Sequence, residues 1–453
     1  MHSSSTLSSS AGQAGTPVFV TPDWTCPFCP LHCDDIAATL HADESLSAPA
    51  TDCPRLAAAL ALYGAADASC KPAIDGQDTD LDSALARATE ILAHARRPLF
   101  GGLGTDIAGT RSLYELASGC GAILDHLHGD AQAASTLALQ DRGAFFTTLS
   151  EVRMRADLVV VLACQPSARY PRFYERVLGG TSRQPALCFV GCTVDPAASA
   201  VVEASTGSIL AGADLYDVLA LWSALLEGRT VEALRDDSGI ARELPLLIER
   251  VAASRYTAFV YEPAALPGPH AALLIEALNR IIKAVNRTTR AGGLPLGGDD
   301  GALSANQTLT WLSGFPLRTR VARPARRADE PPLEHDPYRY QTARLLADRA
   351  IDALLWVSAF GPEPLPEALD PDVPAIVLGH PALARSPTGG NCRAPAVYIP
   401  VATTGIDSGG HLFRVDGSVV VPLFAARKVE LPTVATIAAL LSARLAQARR
   451  SVP

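Results

Sequence analysis

DLVVVLACQP, residues 157 to 166, is the stretch on which the reading of the fold turns. From Leu158 the run is apolar without alternation, rich in β-branched residues, and it closes on Gln165 and Pro166. A strand apolar at every position is one covered on both faces, the signature of a parallel sheet sandwiched between helices. ALCFVGCTVDP (186–196) repeats the pattern, and YTAFVYEP (256–263), DALLWVSAFGPEP (352–364) and VPAIVLGHP (373–381) give further buried strands. AILDHL (122–127) and the run PLFGGLGTD (98–106) are strand-like as well. Helical spacing separates them. DLDSALARATEILAHARR (80–97) repeats Leu81, Leu85, Ala88, Ile91 and Leu92 and stops at Pro98. Residues 108–120, 211–227, 229–255, 270–287 and 432–449 also read as helices. The pattern predicts a doubly wound α/β protein, whose ligand-bearing loops follow the strand ends: GGLGTD, ACQPSARYPR and TVDPAAS; the glycine-rich loops GGLGTD and LGGDDG are candidates to line a cavity.

The chain has 453 residues, too many for a single small core. Its net charge of −9 and lack of a basic patch interleaved with aromatics argue against nucleic-acid or anionic-membrane partners. No apolar run is long enough to span a membrane, and the first residues lack a secretory leader's basic start and apolar run, so a cytoplasmic protein is expected. Residues 1–20 read as a disordered tail, 21–75 as a small four-cysteine domain, and 76–230, 231–330 and 331–453 as three α/β lobes. The Pro-, Arg- and acid-rich stretch at 320–340 reads as a surface loop or linker.

Of ten cysteines, Cys26, Cys29, Cys33 and Cys53 are spaced C-x2-C-x3-C-x19-C, the first three within CPFCPLHCDDI. Thiolates ligate iron–sulfur clusters and structural zinc. Zinc sites more often pair two C-x-x-C knuckles; three cysteines in one turn and one distant cysteine suit a [4Fe–4S] cubane, and unligated thiols are the remaining reading. Cys70, Cys120, Cys164, Cys188, Cys192 and Cys392 read as small buried hydrophobes. His32 reads as a loop residue. Asp34 and Asp35 are adjacent and so point apart, which suits turn capping or solvation better than paired acid–base work.

CPFCPLHCDDI with its later cysteine resembles the N-terminus of the B subunits of formylmethanofuran dehydrogenases, in the molybdopterin oxidoreductase superfamily. STLALQDRGAFFTTLSEVRMRADLVVVLACQPSARYPRF, TVDPAAS, ANQTLTWLSGFP and GIDSGGHLFRVDGSVV resemble further motifs of that family, in order, from about residue 24 to about residue 440. The resemblance implies a multi-lobed molybdopterin-oxidoreductase-like architecture, with Cys26, Cys29, Cys33 and Cys53 as ligands of a [4Fe–4S] cluster. In the redox enzymes a cysteine or selenocysteine ligates tungsten or molybdenum carried on two pyranopterin guanine dinucleotides. At that position this chain has Ala131, with His128 nearby as a weak substitute. The family's glycine of G-C-N-P is Ala163, and the arginine of D-P-R-x-T is Ala197, which removes a phosphate-gripping fork. A second group of relatives accounts for this: the B subunits of bacterial formyltransferase/hydrolase complexes, which work with A, C and D subunits in tetrahydromethanopterin-linked conversion of formaldehyde to formate. The resemblance therefore implies a B subunit with those partners, a [4Fe–4S] cluster, no pterin-bound tungsten or molybdenum, and no catalytic residues of its own. The alternative is an active tungsten or molybdenum subunit with an unusual metal ligand.

Overall fold

The computed structural model describes residues 16–180, 184–201, 206–229, 239–322, 331–385 and 394–450. Leu158–Leu162 is the central strand of a five-stranded, wholly parallel sheet. Across it the order is Thr206–Ile209, Ala186–Val190, Leu158–Leu162, Thr257–Tyr261, Ala291–Pro295. Register runs Val160 beside Cys188 on one side and Phe259 on the other. Alternate residues enter two different cores. Val159 and Val161 join Leu187, Phe189, Ala258 and Val260 on one face. Val160 and Leu162 join Cys188, Phe259 and Tyr261 on the other, beneath the helices Leu215–Leu226, Gly239–Ala253 and Ala271–Val285. Burying each such side chain is worth about 1.5–3 kcal/mol, which is why the run needs no polar face.

The second sheet has nine strands: Leu333–His335, Thr319–Val321, Ile123–Leu124, Pro98–Gly104, Ala353–Ser358, Ala375–Gly379, Val397–Pro400, Ala73–Ile74 and Gln77–Asp78. Its inner five are parallel, and antiparallel strands close both edges. Helices Leu81–His94, Ile107–Cys120 and Val434–Arg450 supply its main core.

The two sheets are nested rather than sequential. Pro98–Gly104 pairs with Ala353–Ser358, and the whole five-stranded sheet lies between them in sequence. The expected lobes 76–230, 231–330 and 331–453 are therefore cut by the sheets. The first contributes strands to both, and the third shares a sheet with the first. Local apolar patterning identifies strands but not their neighbours. Leu158–Leu162 in the first sheet and Pro98–Gly104 in the second are each flanked on both sides by strands later in the chain, giving switch points between Leu158–Leu162 and Thr257–Tyr261 and between Pro98–Gly104 and Ala353–Ser358.

From Trp24 to Tyr63 the N-terminal stretch packs on the face of the five-stranded sheet carrying Val159 and Val161, whereas Ala73–Ile74, inside the expected domain 21–75, is a strand of the nine-stranded sheet. The expected tail is shorter than residues 1–20: Pro17–Trp24 is a strand paired antiparallel with Ile36–His41, and residues 1–15 lie outside the described residues. The flanks of the expected linker at 320–340 pair as Thr319–Val321 with Leu333–His335, and 323–330 lies outside the described residues. Among the described residues no helix is long and apolar enough to cross a membrane.

A buried ion cluster fastens the N-terminal unit to the C-terminal segment. Arg427 reaches Asp67 at 2.6 Å and Asp407 at 2.8 Å, over the ring of Tyr63, and Arg385 meets Asp67 at 2.6 Å. Replacing Arg427 by Met would leave two buried carboxylates short of their shared cation. The expected loss is about 3–5 kcal/mol of stability, read as a lower urea midpoint by circular dichroism; an unchanged midpoint would show that the cluster does not hold the unit in place.

Candidate functional site

The cysteine loop is closed by backbone hydrogen bonds from Cys26 to the Cys33 carbonyl at 2.9 Å and from His32 to the Cys29 carbonyl at 3.0 Å. Cys26, Cys29 and Cys33 are buried; Cys53, half-buried, is the N-cap of helix Pro54–Leu60. The four thiols feel one another. Burial, then Cys29, pushes Cys26 well above its ordinary value, with Cys33 and Cys53 adding to the effect. Burial pushes Cys29 up to about 11 against the pull of Arg55. Burial and Cys29 push Cys33 up to about 12 against Arg172 and Arg176. Among the described residues, no three His, Cys, Asp or Glu side chains are grouped to hold a metal ion. In ligand type and charge, three buried thiols and the half-buried Cys53, with Arg55, Arg172 and Arg176 acting on them, fit a four-thiolate cluster.

His32 is a loop residue, as expected. It is buried, with its ring nitrogens 3.1 and 3.2 Å from the carbonyls of Cys26 and Phe413, and burial lowers its pKa. Asp34 and Asp35 are neither caps nor merely solvated. Arg172 grips Asp35 with two bonds of 2.8 and 2.7 Å, and Arg176 contacts both carboxylates. The nine described cysteines are all free; Cys392 lies outside the described residues.

Behind Cys29 lies a network that the sequence did not disclose. Asp299 of LGGDDG takes Arg55 and Arg169, each at 2.7 Å, and accepts from the Tyr170 hydroxyl at 3.1 Å. Arg169 also meets Glu262 at 2.6 Å, spanning the switch point of the five-stranded sheet. Next along, Asp300 pairs with His128 at 2.9 Å. The His126 ring accepts from the His128 amide, so its other nitrogen carries the proton toward the Asp300 carbonyl at 3.2 Å. LGGDDG also abuts GGLGTD: a Cβ on Gly301 would stand 2.2 Å from the Thr105 carbonyl oxygen, and the residue's φ is +79°. Arg55, next but one to the fourth cysteine, and the paired acids of GGDDG were the available signals.

Ala131 lies in the first turn of helix Gly129–Arg142 and borders a cavity of about 230 Å³. Four segments singled out in the sequence meet there: Ala131 and Gln132, Gly297 of LGGDDG, Asn306 and Gln307 of the ANQ stretch, and Val415–Gly417 of FRVDG. GGLGTD does not border it, and neither does His128, which is held by Asp300. Among the described residues the lining includes no thiol and no imidazole, and its one carboxylate, Asp416, is taken by Arg414 at 2.7 Å. Such a donor set does not fit a tungsten or molybdenum centre of this superfamily's kind. Ala163 keeps the left-handed conformation, φ +49°, that favours glycine. Asp195 accepts from the Ala197 amide at 3.1 Å, as a cap would, and also from the Ser167 amide at 2.8 Å, bridging the loops TVDPAAS and ACQPSARYPR.

No family model matches the chain. It is homologous to the B subunit of the formyltransferase/hydrolase complex of Methylorubrum extorquens, 26% identical over 350 residues, 75% of this chain and 87% of that protein. It is also similar to the B subunit of the tungsten-containing formylmethanofuran dehydrogenase 2 of Methanocaldococcus jannaschii, 23% identical over 443 residues, 92% of this chain and 95% of that one. Its fold matches a chain in the crystal structure of the M. extorquens complex with methylofuran, TM-score 0.68 and 24% identity, over 84% of this chain and 100% of that one.

The network has a pH signature. Burial, then His128, lowers the His126 pKa from 6.5 to about 4, so the fold holds the neutral ring. Its contribution is complete above the unfolded pKa near 6.5 and is lost as pH falls toward 4. Between pH 7 and pH 5 that loss is about 2 kcal/mol. His126→Gln should narrow the difference between urea midpoints at those two pH values by a corresponding amount; an identical difference would show that this imidazole does not titrate as described.

Proposed function

We propose that this chain is the B subunit of a formyltransferase/hydrolase-type complex in the cytoplasm, assembled with A, C and D subunits. Such a complex handles formyl groups on tetrahydromethanopterin- and methanofuran-type carriers, and this subunit conducts no redox catalysis of its own. The observation that carries the reading is the cavity at Ala131, which keeps the converging segments of the redox subunits without a thiol or imidazole to ligate a metal. The homology to the M. extorquens protein, and the fold match over the whole length of the crystallised chain, support the assignment to such an assembly.

Cys26, Cys29, Cys33 and Cys53 hold a [4Fe–4S] cluster in this reading. Their shared burial and the three neighbouring arginines support it, since a four-thiolate cluster is anionic. Its work is structural: it ties the loop 26–33 to the start of helix Pro54–Leu60 and so to Arg55 and Asp299.

Elemental analysis of the assembled complex, purified without oxygen, tests both parts. The expected result is about four irons per copy of this chain and tungsten and molybdenum far below stoichiometry; one equivalent of either metal would overturn the non-redox reading. Cys29→Ala should abolish the iron and the brown colour that bleaches with dithionite. Unchanged iron in that variant would remove the cluster from these cysteines.

A further inference from the structure

The cavity at Ala131 has polar groups that the fold leaves unused. Tyr261, at the end of strand Thr257–Tyr261, is 2% exposed, and its hydroxyl has no hydrogen-bond partner among the described residues. Burial alone raises its pKa, with no partner contributing. Asn279, on helix Ala271–Val285, is 6% exposed, and its amide is equally without a partner among the described residues. Asn306 is 8% exposed; its side-chain oxygen accepts from the Leu317 amide at 3.0 Å, and its NH2 has no hydrogen bond among the described residues. All three border the cavity. None of these polar atoms is sealed off inside the protein; each opens onto the space and is free to bond a molecule that enters it.

The surroundings define what fills it. Among the described residues no Lys, Arg or His lines the space. Asp416, its only charged group, is saturated: it accepts from Arg414, from the Leu149 amide at 3.0 Å and from the Ser418 hydroxyl at 2.8 Å. A carboxylate entering would lose its water without gaining a cation and would face that acid; an ammonium would find no free carboxylate. Leu139 and Phe146, both partly exposed, form an apolar lip. Asn side chains offer a donor and an acceptor side by side, the complement of another amide.

We infer that the cavity is a binding site for a small uncharged molecule with a carboxamide head and an apolar body, held by Asn279, Tyr261 and Asn306, and that it rejects carboxylates of the same size. This assignment rests on the proposed function in one respect: the cavity holds no tungsten or molybdenum centre.

Benzamide, with benzoate as its charged counterpart, tests the assignment on the assembled complex near pH 7, by saturation-transfer NMR titration and by soaking crystals of the complex. Benzamide should bind saturably in the cavity and benzoate at least roughly tenfold more weakly. Asn279→Leu should weaken benzamide by roughly tenfold and Tyr261→Phe by roughly threefold, the loss of a hydrogen bond in each case. Thermal unfolding checks that the variants are folded; Tyr261→Phe removes a single oxygen and serves if Asn279→Leu does not fold. Equal binding of benzoate, unchanged binding in the folded variants, or crystals showing only water or a partner's side chain in the cavity would overturn the assignment. Metal content measured on the same sample separates the two claims. Stoichiometric tungsten or molybdenum overturns the proposed function, whereas a metal-free cavity that ignores benzamide overturns this inference alone.

Discussion

Everything in the candidate site leans on Asp299. Its carboxylate is buried, and it draws in Arg55 from the cysteine unit and Arg169 from the loop after the central strand of the five-stranded sheet. Arg169 carries the link on to Glu262 at the neighbouring strand end, and Asp300 extends it to His128 and the start of the Ala131 helix. A buried acid between two arginines is costly to desolvate and costly to break, so it fixes position more than it adds net stability. Here it fixes the meeting point of both sheets and the N-terminal unit.

The frame around the cavity is held in the same way. The segments around the cavity converge, and Ala163 adopts a backbone conformation that an alanine adopts only under constraint. Some residues border the empty space, as Ala131 does; others join the loops around the fold. Asp195 illustrates the second kind, because its bonds to Ser167 and Ala197 join two loops.

How much of this could be read from the sequence depends on the range of the interaction. The buried strands were legible because a two-faced apolar run is a local pattern, and the four cysteines because their spacing is short. The nesting of one sheet inside the other was not legible, since nothing in PLFGGLGTD names Ala353–Ser358 as its partner. Asp34 and Asp35 were misread for the same reason: their arginines lie far along the chain, on the helix Phe173–Leu178 and its N-cap. Asn279 left a trace that local reading could have caught. It falls among Leu274, Ile275, Leu278 and Ile282 on the buried stripe of an otherwise apolar helix, where a polar side chain needs a reason.

The nesting also sets a timetable for biosynthesis. Pro98–Gly104 leaves the ribosome with its parallel neighbour Ala353–Ser358 still roughly 250 residues away, an interval on the order of ten to fifty seconds at about 5–20 residues per second. During that interval all five strands of the inner sheet emerge and can pair among themselves. The outer sheet is thus completed last, and its bare central strand, apolar on both faces, is the part of the nascent chain most in need of protection by a chaperone or by early partner subunits.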